Sequence, residues 1–210
     1  MAYPTVAAPY GLQPINLVGG QVYAGQVRQI PIASGSSTDI FYGDIVALDT
    51  NGQLVKVTTT DSATNAVGVF LGCSYTNPAT KQKLFSQYWP AGTLAQDAVA
   101  YVIDDPRVVF KAAVGSQATS SLSNTSSGLG YVNPAFIGTN MYPLSGTAGS
   151  TTTGDSGAFV TAASGANTAT LPFRVIAVVP DTNVTATTFC EVIVKVNTNA
   201  YNTALGNNLS

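Results

Sequence analysis

Gly154-Asp155-Ser156-Gly157 is the one string in this chain that looks catalytic, because serine proteases surround their nucleophile with a similar run. In that chemistry a histidine takes the serine proton while an aspartate orients the imidazole. The chain has no histidine, and the mechanism is excluded. A Ser-Lys variant requires Lys111, Lys195 or another distant lysine with a lowered pKa, and no sequence signal points to one. The string reads as a tight turn between short strands.

Other chemistries fare no better. Glycoside hydrolysis needs two carboxyls across the cleaved bond. The chain has ten acids, only one of them a glutamate, and Asp49, Asp61, Asp104, Asp105 and Asp181 all fall at turns. Glu191 leads into a strand ending at Lys195, the setting of a solvated ladder charge. Asp104-Asp105-Pro106 and Asp49-Thr50-Asn51-Gly52 both lack the ligand spacing of a calcium loop. Gly128-Leu129-Gly130 misses the third glycine of a dinucleotide fingerprint, and no Gly-Lys-Ser/Thr is present. No catalytic residue, cofactor or metal is expected.

Aromatic residues supply the remaining candidates. Trp89, Tyr88, Phe85, Tyr75, Phe41 and Tyr42 suit either a core or a contact platform. With Tyr3 and Tyr10 near the start, Tyr88 and Trp89 are the candidate interface residues, since Trp and Tyr anchor protein interfaces.

Composition sets the limits. Eight Lys/Arg and ten Asp/Glu make 9% of 210 residues, against roughly 25% in an ordinary soluble domain. The basic residues are scattered singly, so neither nucleic acid nor an anionic membrane is expected as a partner. The longest apolar run, Ala98–Ile103, is far short of the ~20 residues that span a bilayer. Met1-Ala2-Tyr3-Pro4-Thr5 lacks the basic and apolar character of a secretory leader, which implies synthesis in a cytoplasm. In that compartment Cys73 and Cys190 read as reduced core thiols rather than a disulfide.

The elements that must position these residues are strands. Ile40–Leu48 and Leu54–Thr60 are β-branched runs around Asn51-Gly52, a hairpin signal. Further strands are expected at 67–75, 83–89, 98–103, 108–114, 172–179 and 188–196, with turn residues between them. No segment has sustained helical periodicity. Four prolines and five glycines in residues 1–35 leave an extended N-terminal arm with one short strand near 26–32. Residues 36–210 form the β-rich domain: 36–114 and 170–200 carry the main strands, and 115–169 is a Ser/Thr/Gly-rich excursion or small subdomain. The expected fold is all-β, a β-sandwich or tulip-like β-barrel.

Ile40-Phe41-Tyr42-Gly43-Asp44-Ile45-Val46-Ala47-Leu48, then Asn51-Gly52 and Val67-Gly68-Val69-Phe70-Leu71-Gly72, resemble virion proteins of tailed bacteriophages, notably marine and cyanobacterial ones. Asp105-Pro106, Val109-Phe110-Lys111, Thr153–Gly157, Phe173–Ile176 and Val192–Asn197 extend the resemblance. Those relatives often carry a histidine near the C-terminal motif, where this chain reads Asn197-Thr198-Asn199-Ala200-Tyr201. What the resemblance implies is a capsid decoration (cement) protein on the head exterior, assembled in the host cytoplasm. It would bridge major capsid proteins and self-associate as a homotrimer. A head-fibre or adhesin module that binds host glycans through the Trp/Tyr set is the alternative. The major capsid protein itself needs a long spine helix, for which no segment qualifies.

Overall fold

The computed structural model describes residues 6, 8–57, 66–114, 137–145, 148–161, 171–182 and 189–197. Twelve strands run through them in chain order. They are β1 (Gln13–Leu17), β2 (Arg28–Pro31), β3 (Ile45–Leu48), β4 (Leu54–Lys56), β5 (Ala66–Thr76) and β6 (Lys83–Ser86). β7 (Val99–Ile103), β8 (Val108–Val114), β9 (Asn140–Ser145), β10 (Ala158–Thr161), β11 (Phe173–Val178) and β12 (Cys190–Val196) follow. The described residues contain no helix, and the fold is all-β.

The strands form two six-stranded sheets packed as a β-sandwich. The first has the order β1-β8-β10-β9-β11-β12 and is tied back on itself by a β8–β12 pairing. β8 takes β12 along one edge; the other edge is shared by β1 at Gln13–Leu17 and β10 at Val160. Its pairings are antiparallel except for the short β8–β10 contact. The second sheet runs β2-β7-β5-β3-β4, with β6 also on β5. It curls until Ile32, just past β2, bridges Leu54 of β4.

Period-2 alternation sorts the side chains. Phe110, Ala112 and Val114 of β8 and Val192, Val194 and Val196 of β12 turn inward against Ile45, Ala47 and Val69 of the other sheet. The reverse face of the second sheet buries Val46, Leu54, Phe70, Ala100 and Val102 beneath Ile40 and Trp89. A small third cluster lies on the outer face of the first sheet, where Val6 and Tyr10 cover Ala113, Phe159 and Phe189.

Several boundaries depart from the sequence pattern. Ile40–Leu48 is strand only from Ile45, because Gly43 takes φ +87 and turns the chain before it. Strand 83–89 ends at Ser86, leaving Trp89 in an isolated bridge with Ile40. Within 1–35 there are two strands, not one. β1 survives its Pro14 because it lies at the end of the sheet order and breaks register between Pro14 and Asn16, the setting in which a missing N–H is tolerated. β9 and β10, from the stretch read as an excursion, are strands of the first sheet. Residues 115–136, 146–147 and 162–169 of that stretch lie outside the described residues.

Candidate functional site

Two Gly-Asp runs far apart in sequence meet between the sheets. Gly43-Asp44 leads into β3, and Gly154-Asp155-Ser156 leads into β10. The Tyr42 N–H donates to the Gly154 carbonyl and the Ser156 N–H donates to the Tyr42 carbonyl, each at 2.9 Å. Asp44 sits under this bridge, 1% exposed. Its Oδ2 accepts the Phe41 N–H at 2.8 Å and faces the Lys56 ammonium at 2.7 Å. Its Oδ1 accepts the Ser156 hydroxyl at 2.5 Å, and Ser156 Oγ accepts the Ala158 N–H at 2.9 Å. A buried carboxylate is tolerable only when paired and hydrogen-bonded in this way. Lys56 Nζ also lies 5.4 Å from the Phe41 ring centroid, and Phe41 stacks on Tyr88.

The N-terminal segment closes this junction. Gly11 N–H donates to the Ala158 carbonyl at 3.0 Å and Leu12 N–H to the Gly43 carbonyl at 2.9 Å. A Cβ on Gly11 would stand 2.8 Å from both the Gly43 oxygen and the Ser156 Cβ, so only glycine fits there.

A second buried carboxylate lies on the outer face of the first sheet. Glu191 accepts the Tyr10 hydroxyl and pairs with Lys111 Nζ at 3.1 Å, while its N–H donates to Thr182 Oγ1 at 3.1 Å. Lys111 Nζ is also 5.6 Å from the Tyr10 ring centroid. Burial, and then the bond to Glu191 and its negative charge, raise the Tyr10 phenol well above the usual range. The solvated ladder charge expected at Glu191 is therefore corrected. The segment around Val6 and Tyr10 lies over this end of the sheet and takes Glu191 out of water, leaving it 4% exposed.

No family model, known protein or solved structure matches this chain. What the site can do must be read from its own geometry. Ser156 is 2% exposed, its proton committed to Asp44, so a substrate carbonyl has no path to its oxygen. Among the described residues no group of three or more His, Cys, Asp and Glu side chains is placed to hold a metal. Burial holds the Cys73 thiol protonated, its pKa pushed up to about 12, and Cys190 is likewise a buried thiol. The arrangement is a set of internal fastenings between sheets.

The four candidate interface residues separate. Tyr3 lies outside the described residues. Tyr10 is half-buried against Glu191, and Tyr88 is half-buried against Phe41. Trp89 is 0% exposed, edge-on to Tyr75 in the second sheet's core, so it presents no surface in the isolated chain. Among the described residues Phe85 is the aromatic that faces solvent, at 77% exposure. It borders an open groove of about 520 Å³ with Tyr42, Leu71, Gln87 and Tyr101. Alternation along Lys83–Ser86, exposed at 83 and 85, was the signal that could have singled it out. Lys56 was missed as the partner of Asp44. The pairing of Val46 with Lys56 puts the two diagonally across the β3–β4 hairpin.

Proposed function

We propose that this chain is a structural virion protein, a decoration or cement subunit that clamps neighbouring major capsid proteins on the outside of a tailed-phage head. One observation carries the reading: two of the segments that resemble such proteins, Ile40–Leu48 and Thr153–Gly157, fasten to each other through Asp44 and Ser156. The resemblance thus includes a buried joint between the two sheets, where Ser156 is 2% exposed. A clamp must transmit load between neighbours without shearing, which interlocked sheets do. Five of the eight basic residues are paired with acids inside the chain, and uncharged Thr, Ser, Asn and Tyr fill much of the rest. Contact through such residues avoids the several kcal/mol needed to bury an unpaired charge.

The test is quantitative mass spectrometry of purified particles, combined with heating of particles that lack the chain. A shell-wide cement should be present in numbers that scale with the capsomers, and its loss should lower the temperature of head rupture. A handful of copies per particle refutes the reading. The adhesin alternative has Phe85 and its groove in its favour. It requires glycan-array binding that is lost in Phe85→Ala.

A further inference from the structure

Five of the eight cations pair with a carboxylate among the described residues, which makes the other three informative. Arg28, Lys56, Lys83, Arg107 and Lys111 each pair with a carboxylate. The other three cations are Lys81, Arg174 and Lys195, and the last two stand directly opposite each other on β11 and β12. Residues 173, 175, 194 and 196 turn into the core, so Arg174 and Lys195 project from the outer face of the first sheet. Neither joins an ion pair among the described residues. Like charges directly opposite on neighbouring strands destabilise a sheet, and nothing in the fold requires them here.

The surroundings prepare Arg174 for a ligand. Register aligns Asn140, Arg174, Lys195, Val109 and Asn16 in one row across five strands. Asn140, 7% exposed, accepts the Arg174 Nε–H at 3.1 Å. That bond fixes the guanidinium and leaves its terminal nitrogens for something else. Ile176 lies beside the row, 38% exposed, at the β11 bulge.

We infer that this row is a docking site for an acidic protein segment, with a partner carboxylate held between Arg174 and Lys195. A held guanidinium offers the planar two-point bond that a carboxylate accepts. Two cations are too few for nucleic acid, which needs a stripe of phosphate contacts, or for anionic lipid, which takes clusters of four or more. The neighbouring Ile176 suits a peptide's side chains better than a free ion. The inference rests on the cement reading only for where such a segment is met.

Binding of a fluorescein-labelled hexaglutamate peptide to the full chain tests it, by fluorescence polarisation at low salt. Wild type should bind, and Arg174→Gln/Lys195→Gln should bind about two- to thirtyfold more weakly, as expected for the loss of two exposed ion pairs. Lys81→Gln should match wild type. Thermal unfolding of the double variant should stay at or above wild type, because the two cations repel. If it falls, the half-exposed Lys195→Gln alone repeats the binding comparison. No hexaglutamate binding by wild type, binding unaffected by the double variant, or an equal loss in Lys81→Gln overturns the site. So does tighter binding of inorganic phosphate, oligothymidylate or phosphatidylserine vesicles. A double variant that decorates heads at wild-type occupancy removes the docking row and leaves the cement reading. Wild type that binds hexaglutamate but is absent from heads does the reverse.

Discussion

Replacing Asp44 by alanine should cost more stability than almost any other single change to a polar residue in this chain. The carboxylate is 1% exposed and receives Phe41 N–H, the Ser156 hydroxyl and the Lys56 ammonium at 2.8, 2.5 and 2.7 Å. Alanine leaves all three donors without that acceptor in a site that water does not reach. Removing one partner of a buried ion pair costs about 3–5 kcal/mol, out of a total stability of roughly 5–15 kcal/mol. With a urea slope of up to about 3 kcal/mol per molar, the unfolding midpoint should drop by at least about 1 M. Lys56→Met should cost a similar amount, because it strands the carboxylate. The pair Asp44→Asn/Lys56→Met should cost less than the sum of its single variants, with a coupling of about 2 kcal/mol. Urea titrations of Asp44→Ala and of the four proteins of the Asp44→Asn/Lys56→Met cycle, followed by tryptophan fluorescence from the single Trp89, measure both. If Asp44→Ala stays within about 0.5 kcal/mol of wild type, or the coupling vanishes, the joint between the sheets is not held by this carboxylate.

Alkali should weaken the fold in a defined window. Cys73 titrates near 9.0 when free and near 12 when folded, so its contribution is complete below pH 9 and fades as pH climbs toward 12, by about 1.4 kcal/mol per pH unit. Tyr10, also raised, adds a loss above its ordinary value of 10.0. Urea midpoints from pH 8 to 11 should fall, and Cys73→Val should flatten the first part of the decline; a level wild-type profile would contradict this. Gly43→Ala should cost about 2 kcal/mol or more, because its Cβ would stand 2.9 Å from the Leu12 nitrogen at φ +87. Gly20→Ala, at φ +85 with nothing within 4 Å, should cost only the conformational term of about 1 kcal/mol; equal losses at both positions would refute the packing argument. Trp89→Ala should cost about 3–5 kcal/mol and Phe85→Ala under about 0.5 kcal/mol, a contrast that calorimetry reads directly.

The strands were largely legible because their signals are local. Alternation in 108–114 and 190–196 marks β8 and β12, and turn residues separate most of the others. Positions where one residue acts at a distance were harder to read. The expectation for 1–35 rested on the intrinsic cost of proline and glycine, and tertiary pairing overrode that at β1. Glu191 illustrates the same limit. Its burial comes from Tyr10, 181 residues away, and period-2 alternation along β12 assigns it to the outer face without saying what lies over that face. Trp89 was ambiguous because an aromatic in a β-rich chain suits core and interface equally. The sequence set Ser156 aside as a nucleophile for want of an imidazole, and its use as a buried donor to Asp44 needed the parallel bridge at Tyr42 and Asp155 to become visible.

The first described residues of this chain are held by strands that come much later. Val6 bridges Phe189 and Gly11 bonds Ala158, while β1 leans on β8 and Tyr10 reaches Glu191. Val6 and Tyr10 therefore cannot be seated until Phe189 and β12 have cleared the ribosomal exit tunnel. The second sheet, built from residues 28–103, has no such wait, so the two sheets become complete at different moments of synthesis.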